Sequence, residues 1–206
     1  MLSVILFTVT SFIIGLSGAM APGPLLTVTV SDSIQGGFRA GPLLVTGHIL
    51  GEALLVVLIF MGMGYLLSSE SASSFIGIAG GSVLIWTGIR GLRSGDESSG
   101  DIPAGGSVLR GAVISFSNPY FFIWWGAVGA ALMYSGLELA GAAGLAGFLV
   151  GHWSSDLAWY SLVSFLSSRG SFDTGGRIYR AVMVACNGFI LLAGLYFLTG
   201  GLAVIF

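Results

Sequence analysis

Residues 40–67 read AGPLLVTGHILGEALLVVLIFMGMGYLL, an apolar run longer than the ~20 residues needed to cross a bilayer as a helix. Its one charged side chain is Glu52. Long uncharged apolar runs recur at 2–31, 73–89, 108–135, 139–167 and 178–206, which makes six candidate membrane spans. Composition points the same way. Asp, Glu, Lys and Arg make up 8% of the 206 residues, where a soluble domain carries about 25%. Hydrophobic residues make up 55%, and mean hydropathy is +0.97. Six spans with short connections leave no length for a soluble domain, so the expected fold is all-α integral membrane, one transmembrane domain over 1–206. The leading run followed by Ala19-Met20-Ala21 mimics a signal-peptide cleavage site, but Met1 to Ser11 contains no Lys or Arg for a positive n-region. That segment is expected to be the first span. The single Cys186 excludes an intrachain disulfide framework and reads as a structural thiol.

All seven basic residues are Arg, at positions 39, 90, 93, 110, 169, 177 and 180. They fall in the connections after spans one, three and five. Short loops rich in basic residues stay in the cytoplasm, so these connections should be cytoplasmic and both termini extracytoplasmic, in a multi-pass protein of the plasma (inner) membrane. The polar stretch 94–107, rich in Gly, Ser and Asp, reads as a flexible cytoplasmic loop. It separates a first half, 1–93, from a second, 108–206.

The two halves repeat one another. Span two contains Gly47-His48-Ile49-Leu50-Gly51-Glu52 and span five contains Gly151-His152-Trp153-Ser154-Ser155-Asp156, both of the form G-H-x-x-small-acid. Spans one and four are each interrupted by helix breakers, Ala21-Pro22-Gly23-Pro24 in one and Ser117-Asn118-Pro119 in the other. Each half has three spans, an odd number, so the second must enter the membrane in the opposite sense. The expectation is two inverted three-helix repeats with broken helices 1 and 4, one half rocking against the other.

Glu52 and Asp156 are the two carboxylates deep in spans; the other acids lie in or beside predicted connections. A charge at the bilayer centre costs at least ~2.5–3.5 kcal/mol on insertion scales, which marks both as functional candidates. The plainer alternative is a protonated carboxyl bonded to a neighbouring helix. His48 with Glu52, and His152 with Asp156, stand four residues apart on one helix face, where a proton or cation could be shared. Unpaired backbone at the breaks must be buried in protein or line a wet cavity. A half-helix beginning at Pro22 or Pro24 offers amides to an anion, and carbonyls ending the preceding half suit a cation, so the breaks (Pro22, Gly23, Pro24; Ser117, Asn118, Pro119) suit a zwitterion. Tyr120, Trp124 and Trp125 belong either to that pocket or to an interfacial belt. Small residues four apart, Gly47/Gly51, Gly77/Gly81, Gly147/Gly151 and Gly151/Ser155, read as close helix packing. Gly15-Leu16-Ser17-Gly18 matches the G-x-S-G string of intramembrane serine proteases, a weak signal in a chain with 34 Gly. Phosphate-binding loops, CxxC pairs and basic nucleic-acid patches are absent, so no cofactor and no nucleic-acid partner is expected.

Together the Ala21-Pro22-Gly23-Pro24 break, Gly36-Gly37-Phe38-Arg39-Ala40-Gly41, Ser117-Asn118-Pro119 and the run from Gly151 to Tyr160 resemble the LysE family of small six-span exporters, within the LysE/RhtB group. The resemblance covers nearly the whole chain. It implies export of amino acids or related small solutes driven by the proton gradient, and no enzymatic activity. Glu52 stands where the family's usual acid is Asp, and the histidines beside each acid are not a feature of its amino acid exporters. On this reading the partners are a small-molecule substrate, protons and the lipid bilayer. The helix faces and small size allow a homodimer. Glu52 and Asp156 would carry protons, tuned or relayed by His48 and His152. The alternative is a divalent metal-ion exporter with His48, Glu52, His152 and Asp156 as ligands. An intramembrane serine hydrolase using Ser17 is the alternative of another class.

Overall fold

In the computed structural model, residues 1–21, 23–62, 70–93, 104–169 and 177–203 are described, and among them there is no strand. The helices are α1 (Leu2–Ala19), α2 (Pro24–Gly36), α3 (Ala40–Phe60), α4 (Glu70–Arg93), α5 (Ala104–Phe116), α6 (Pro119–Trp124), α7 (Ala130–Ala140), α8 (Ala142–Arg169) and α9 (Arg177–Ala203). A π-helical turn, Trp125–Gly129, joins α6 to α7.

Among the described residues, five stretches are long and apolar enough to cross a membrane: Leu2–Ala19, Ala40–Phe60, Ser74–Arg93, Pro119–Ala140 and Val184–Ala203. Their outer faces are apolar and open, as on α1, where Leu2, Ile5, Leu6, Val9 and Ile13 are all exposed. The fifth predicted span, 139–167, falls on α8, the longest helix among the described residues, which does not reach the hydropathy of the five. His152, Asp156 and its serines lower its mean, and several of these polar side chains face inward, where they are buried.

Other boundaries shift for local reasons. The first predicted span divides into α1 and α2, and the fourth into α5 and the Pro119–Ala140 stretch. Helix α2 runs on past residue 31 to Gly36 and stops where Gly37 takes φ 77°, a left-handed conformation open to glycine. Asp32, expected beside a connection, is therefore helical and 1% exposed, and accepts a hydrogen bond from Arg110 Nη1 at 2.8 Å. Arg110 belongs to α5, which begins at Ala104 and so takes in the last residues of the predicted loop 94–107. The rest of that loop, Pro22 and the distal ends of the second and sixth predicted spans lie outside the described residues.

The helices pack as three pairs, α1 with α8, α3 with α5, and α4 with α9. Glycine makes each approach possible. A Cβ on Gly47 would strike the Val108 backbone and one on Gly111 the Leu44 backbone, so α3 and α5 touch main chain to main chain. Gly81 and Gly194 do the same for α4 and α9, with Ser74 Oγ donating to Gly201 O at 2.6 Å. Gly151 lies against Thr8 O on α1. Along α3, Leu44 and Val45 join one apolar cluster and Leu55, Val56 and Ile59 a second. His48 and Glu52 fall between them, so the polar residues sit mid-helix with an apolar layer on either side.

Candidate functional site

The two breaks end on different terms. Before α2, Gly23 is extended (φ −164°, ψ 175°) and no side chain caps the helix. Pro24 at the first helical position has no N–H to lose, and the Leu25 and Leu26 amides that follow stand where a helix has no internal acceptor. Before α6, Asn118 is extended (φ −100°, ψ 107°) and its Oδ1 accepts from Tyr120 N at 3.1 Å. One half-helix is thus self-capped and the other open.

Between the breaks lies a cavity of about 430 Å³ whose lining includes Gly23, Pro24 and Asn118 together with His48, Glu52, His152 and Asp156. Ser117 and Pro119 do not line it. Ser117 Oγ donates to Val113 O at 2.7 Å, and its carbonyl is the contact that a side chain on Gly80 would meet.

The four titratable side chains meet in one cluster centred on Glu52, rather than as two equivalent pairs. Glu52 Oε1 lies 3.2 Å from His48 Nε2 and 2.9 Å from His152 Nε2, and accepts from Trp125 Nε1 at 3.1 Å. Asp156 Oδ2 is farther out, 3.5 Å from His152 Nε2. Glu52 and Asp156 are 1% and 2% exposed, and Glu52 Oε2 and Asp156 Oδ2 have no hydrogen-bond partner.

The direction of one hydroxyl decides the tautomer of His48. Ser115 Oγ lies 2.8 Å from Gly111 O and 2.7 Å from His48 Nδ1, and where it donates to the carbonyl it can only accept from the ring. In that arrangement the Nδ1 of His48 carries hydrogen. Its Nε2 then either donates to Glu52 from an imidazolium or accepts from a protonated Glu52. In both states a proton lies on the line between His48 Nε2 and Glu52 Oε1, within one hydrogen-bond length of either owner.

Aromatic rings hold the cluster in place. The His152 ring stacks on Trp124 at 4.6 Å and 14°, with Phe148 also near parallel at 5.8 Å and 17°. Phe121 packs on the His48 ring at 5.3 Å. Trp125 is 1% exposed and Trp124 lines the cavity, so both belong to the site and not to an interfacial belt. Phe148 carries no sequence signal of its role, since its helix is apolar throughout that turn.

The Gly15-Leu16-Ser17-Gly18 string has a packing explanation. Ser17 is exposed and donates to Ile14 O at 2.6 Å. A Cβ on Gly15 would lie 2.7 Å from His152 Nδ1, and one on Gly18 would lie 3.0 Å from Trp124 Nε1. The two glycines let α1 lie against the site, while the serine points away. His48, Glu52 and Asp156 also bring one ligand atom each to within 4.8 Å of the others, close enough for a metal ion.

No solved structure shows a significant match to the chain. A curated relative, "Chemotactic transduction protein ChpE" of Pseudomonas aeruginosa, is 28% identical over 192 residues, 90% of this chain and 94% of its own length. "Putative amino acid efflux protein YcgF" of Bacillus subtilis is 26% identical over 119 residues, 55% of this chain and 57% of its own. The family model for the LysE type translocator matches residues 16–201, a stretch that takes in both breaks and all four titratable residues. The chain is a multi-pass membrane protein and belongs to the LysE type translocator family.

Proposed function

We propose that this translocator is a proton-coupled exporter of an amino acid. The observation that carries the reading is the Glu52 cluster, a buried carboxylate with two imidazoles beside it and one oxygen without a hydrogen bond, in the lining of a cavity at two helix breaks. A substrate ammonium and a proton would compete for Glu52 and Asp156, so that binding of one releases the other and couples their movement in opposite directions. The N-terminus of α2, which no side chain caps, would take the substrate carboxylate on the amides of its first turn. His48 and His152 would relay the proton. The efflux named for the Bacillus subtilis relative supports both the amino acid and the outward direction.

Six crossings in two inverted repeats fit the packing. Exchanging the halves turns the α1–α8 contact into α5–α3 and returns α4–α9 to itself, which is the set of pairs found. The arginines at 39, 90, 93, 110, 169, 177 and 180 support cytoplasmic odd-numbered connections, extracytoplasmic termini and a plasma-membrane location. In proteoliposomes with an imposed pH gradient, Glu52→Gln and Asp156→Asn should each cut gradient-driven amino acid transport at least tenfold. Accumulation by both neutral variants at the parent rate sinks the proton-carrying role.

A second reading treats the same cluster as a site for a divalent metal as cargo, favoured by the convergence of His48, Glu52 and Asp156. Its mark would be zinc or manganese binding to purified protein that disappears in His48→Ala.

A further inference from the structure

Resting on the amino acid reading above, we propose that the side chain of the exported amino acid is bulky and apolar, of leucine to phenylalanine size. The polar capacity left free in the cavity is concentrated in one place. Glu52 Oε2 and Asp156 Oδ2 are buried without a hydrogen bond, and with the α2 amides they would meet the ammonium and carboxylate common to all amino acids. Tyr160, four residues on from Asp156, adds its hydroxyl to the same lining, while two other polar groups are held in place. Ser115 is held between His48 and Gly111 O, and Asn118 Oδ1 caps α6.

What remains for the side chain is a wall of Phe189, Ala193 and Phe197 on α9 with Leu25 of α2, none of which has a polar side-chain atom. An acidic side chain would find no Lys or Arg in the lining, and two carboxylates close by. A basic one would place its second cation against that wall, where no acceptor waits. A hydroxyl set against that wall would leave water for no partner there. The volume, about 430 Å³, falls in the ~300–1,000 Å³ range of small-molecule sites and leaves room beyond a backbone-sized solute. Each methylene buried there is worth about fourfold in affinity.

The test is equilibrium binding of L-phenylalanine, L-leucine, L-alanine, L-serine, L-lysine and L-glutamate to the purified full chain. Phenylalanine or leucine should bind at least tenfold tighter than the other four. Equal or tighter binding of alanine, serine, lysine or glutamate overturns the side-chain class and leaves the amino acid exporter standing. Binding of none of the six overturns both. Ala193→Leu, checked for an unchanged elution profile, should shift the phenylalanine-to-alanine preference at least tenfold toward alanine. An unchanged ratio means that the α9 wall does not hold the side chain, and the proposal fails.

Discussion

Glu52 is lopsided at the atomic scale, with three nitrogens around Oε1 and none near Oε2. Trp125 is the one neighbour of Oε1 that can neither gain nor lose a proton, so its indole N–H sets where the carboxylate points while the imidazoles trade charge with it. Hydrogen bonds within membranes average only ~0.6 kcal/mol and reach ~1.7, and a bond to a buried carboxylate belongs at the upper end. Trp125→Phe keeps the ring packing against Phe148 and should cost about 1–2 kcal/mol, read as a lower unfolding temperature in detergent. It should also weaken substrate binding by loosening Glu52. An unchanged unfolding temperature would mean that the bond contributes nothing. The four polar members of this site were legible from two six-residue motifs. Trp125 could be read only as pocket or belt and Phe148 not at all, because their roles arise only when the Pro119–Ala140 stretch and α8 meet α3.

At the scale of elements, the small-residue spacing foretold close packing, and Gly47, Gly77, Gly81, Gly147 and Gly151 all lie against neighbouring helices. The spacing could not say which helix lies opposite which. Gly111, which faces Leu44 across the same α3–α5 contact as Gly47, fits that spacing too, with buried Ser107 and Ser115 four residues to either side. Gly47→Ala or Gly111→Ala should force α3 and α5 apart and reduce the yield of folded monodisperse protein several-fold on size exclusion. Gly188 and Gly200 meet nothing within 4 Å. Alanine there should raise helix stability by ~0.5–1 kcal/mol, seen as a small rise in unfolding temperature. If all four variants behave alike, the close approaches are not what holds the bundle. The breaks were legible because proline and glycine act within one turn. The continuation of α2 to Gly36 was not, because it depends on Arg110, 78 residues along the chain, meeting Asp32.

Over the whole molecule, a reporter enzyme fused after Phe206 should signal from the extracytoplasmic side, and a cytoplasmic signal would reverse the assigned orientation. The glycine contacts between α1 and α8, and between α3 and α5, each join one helix from the first half to one from the second. A motion that swung 1–93 against 108–206 as rigid blocks would have to pull apart these main-chain contacts in every cycle. A motion that carried each interleaved pair as a unit would keep those contacts, with displacement taken up where pairs meet, around α2 and α6 beside the cavity. The Gly147 Cβ position lies 2.7 Å from Thr8 Oγ1, so Thr8→Cys with Gly147→Cys, in a Cys186→Ser background, should form a disulfide between α1 and α8. If α1 and α8 move as a unit, transport should survive that oxidation, and loss of transport on oxidation would show that they separate during the cycle.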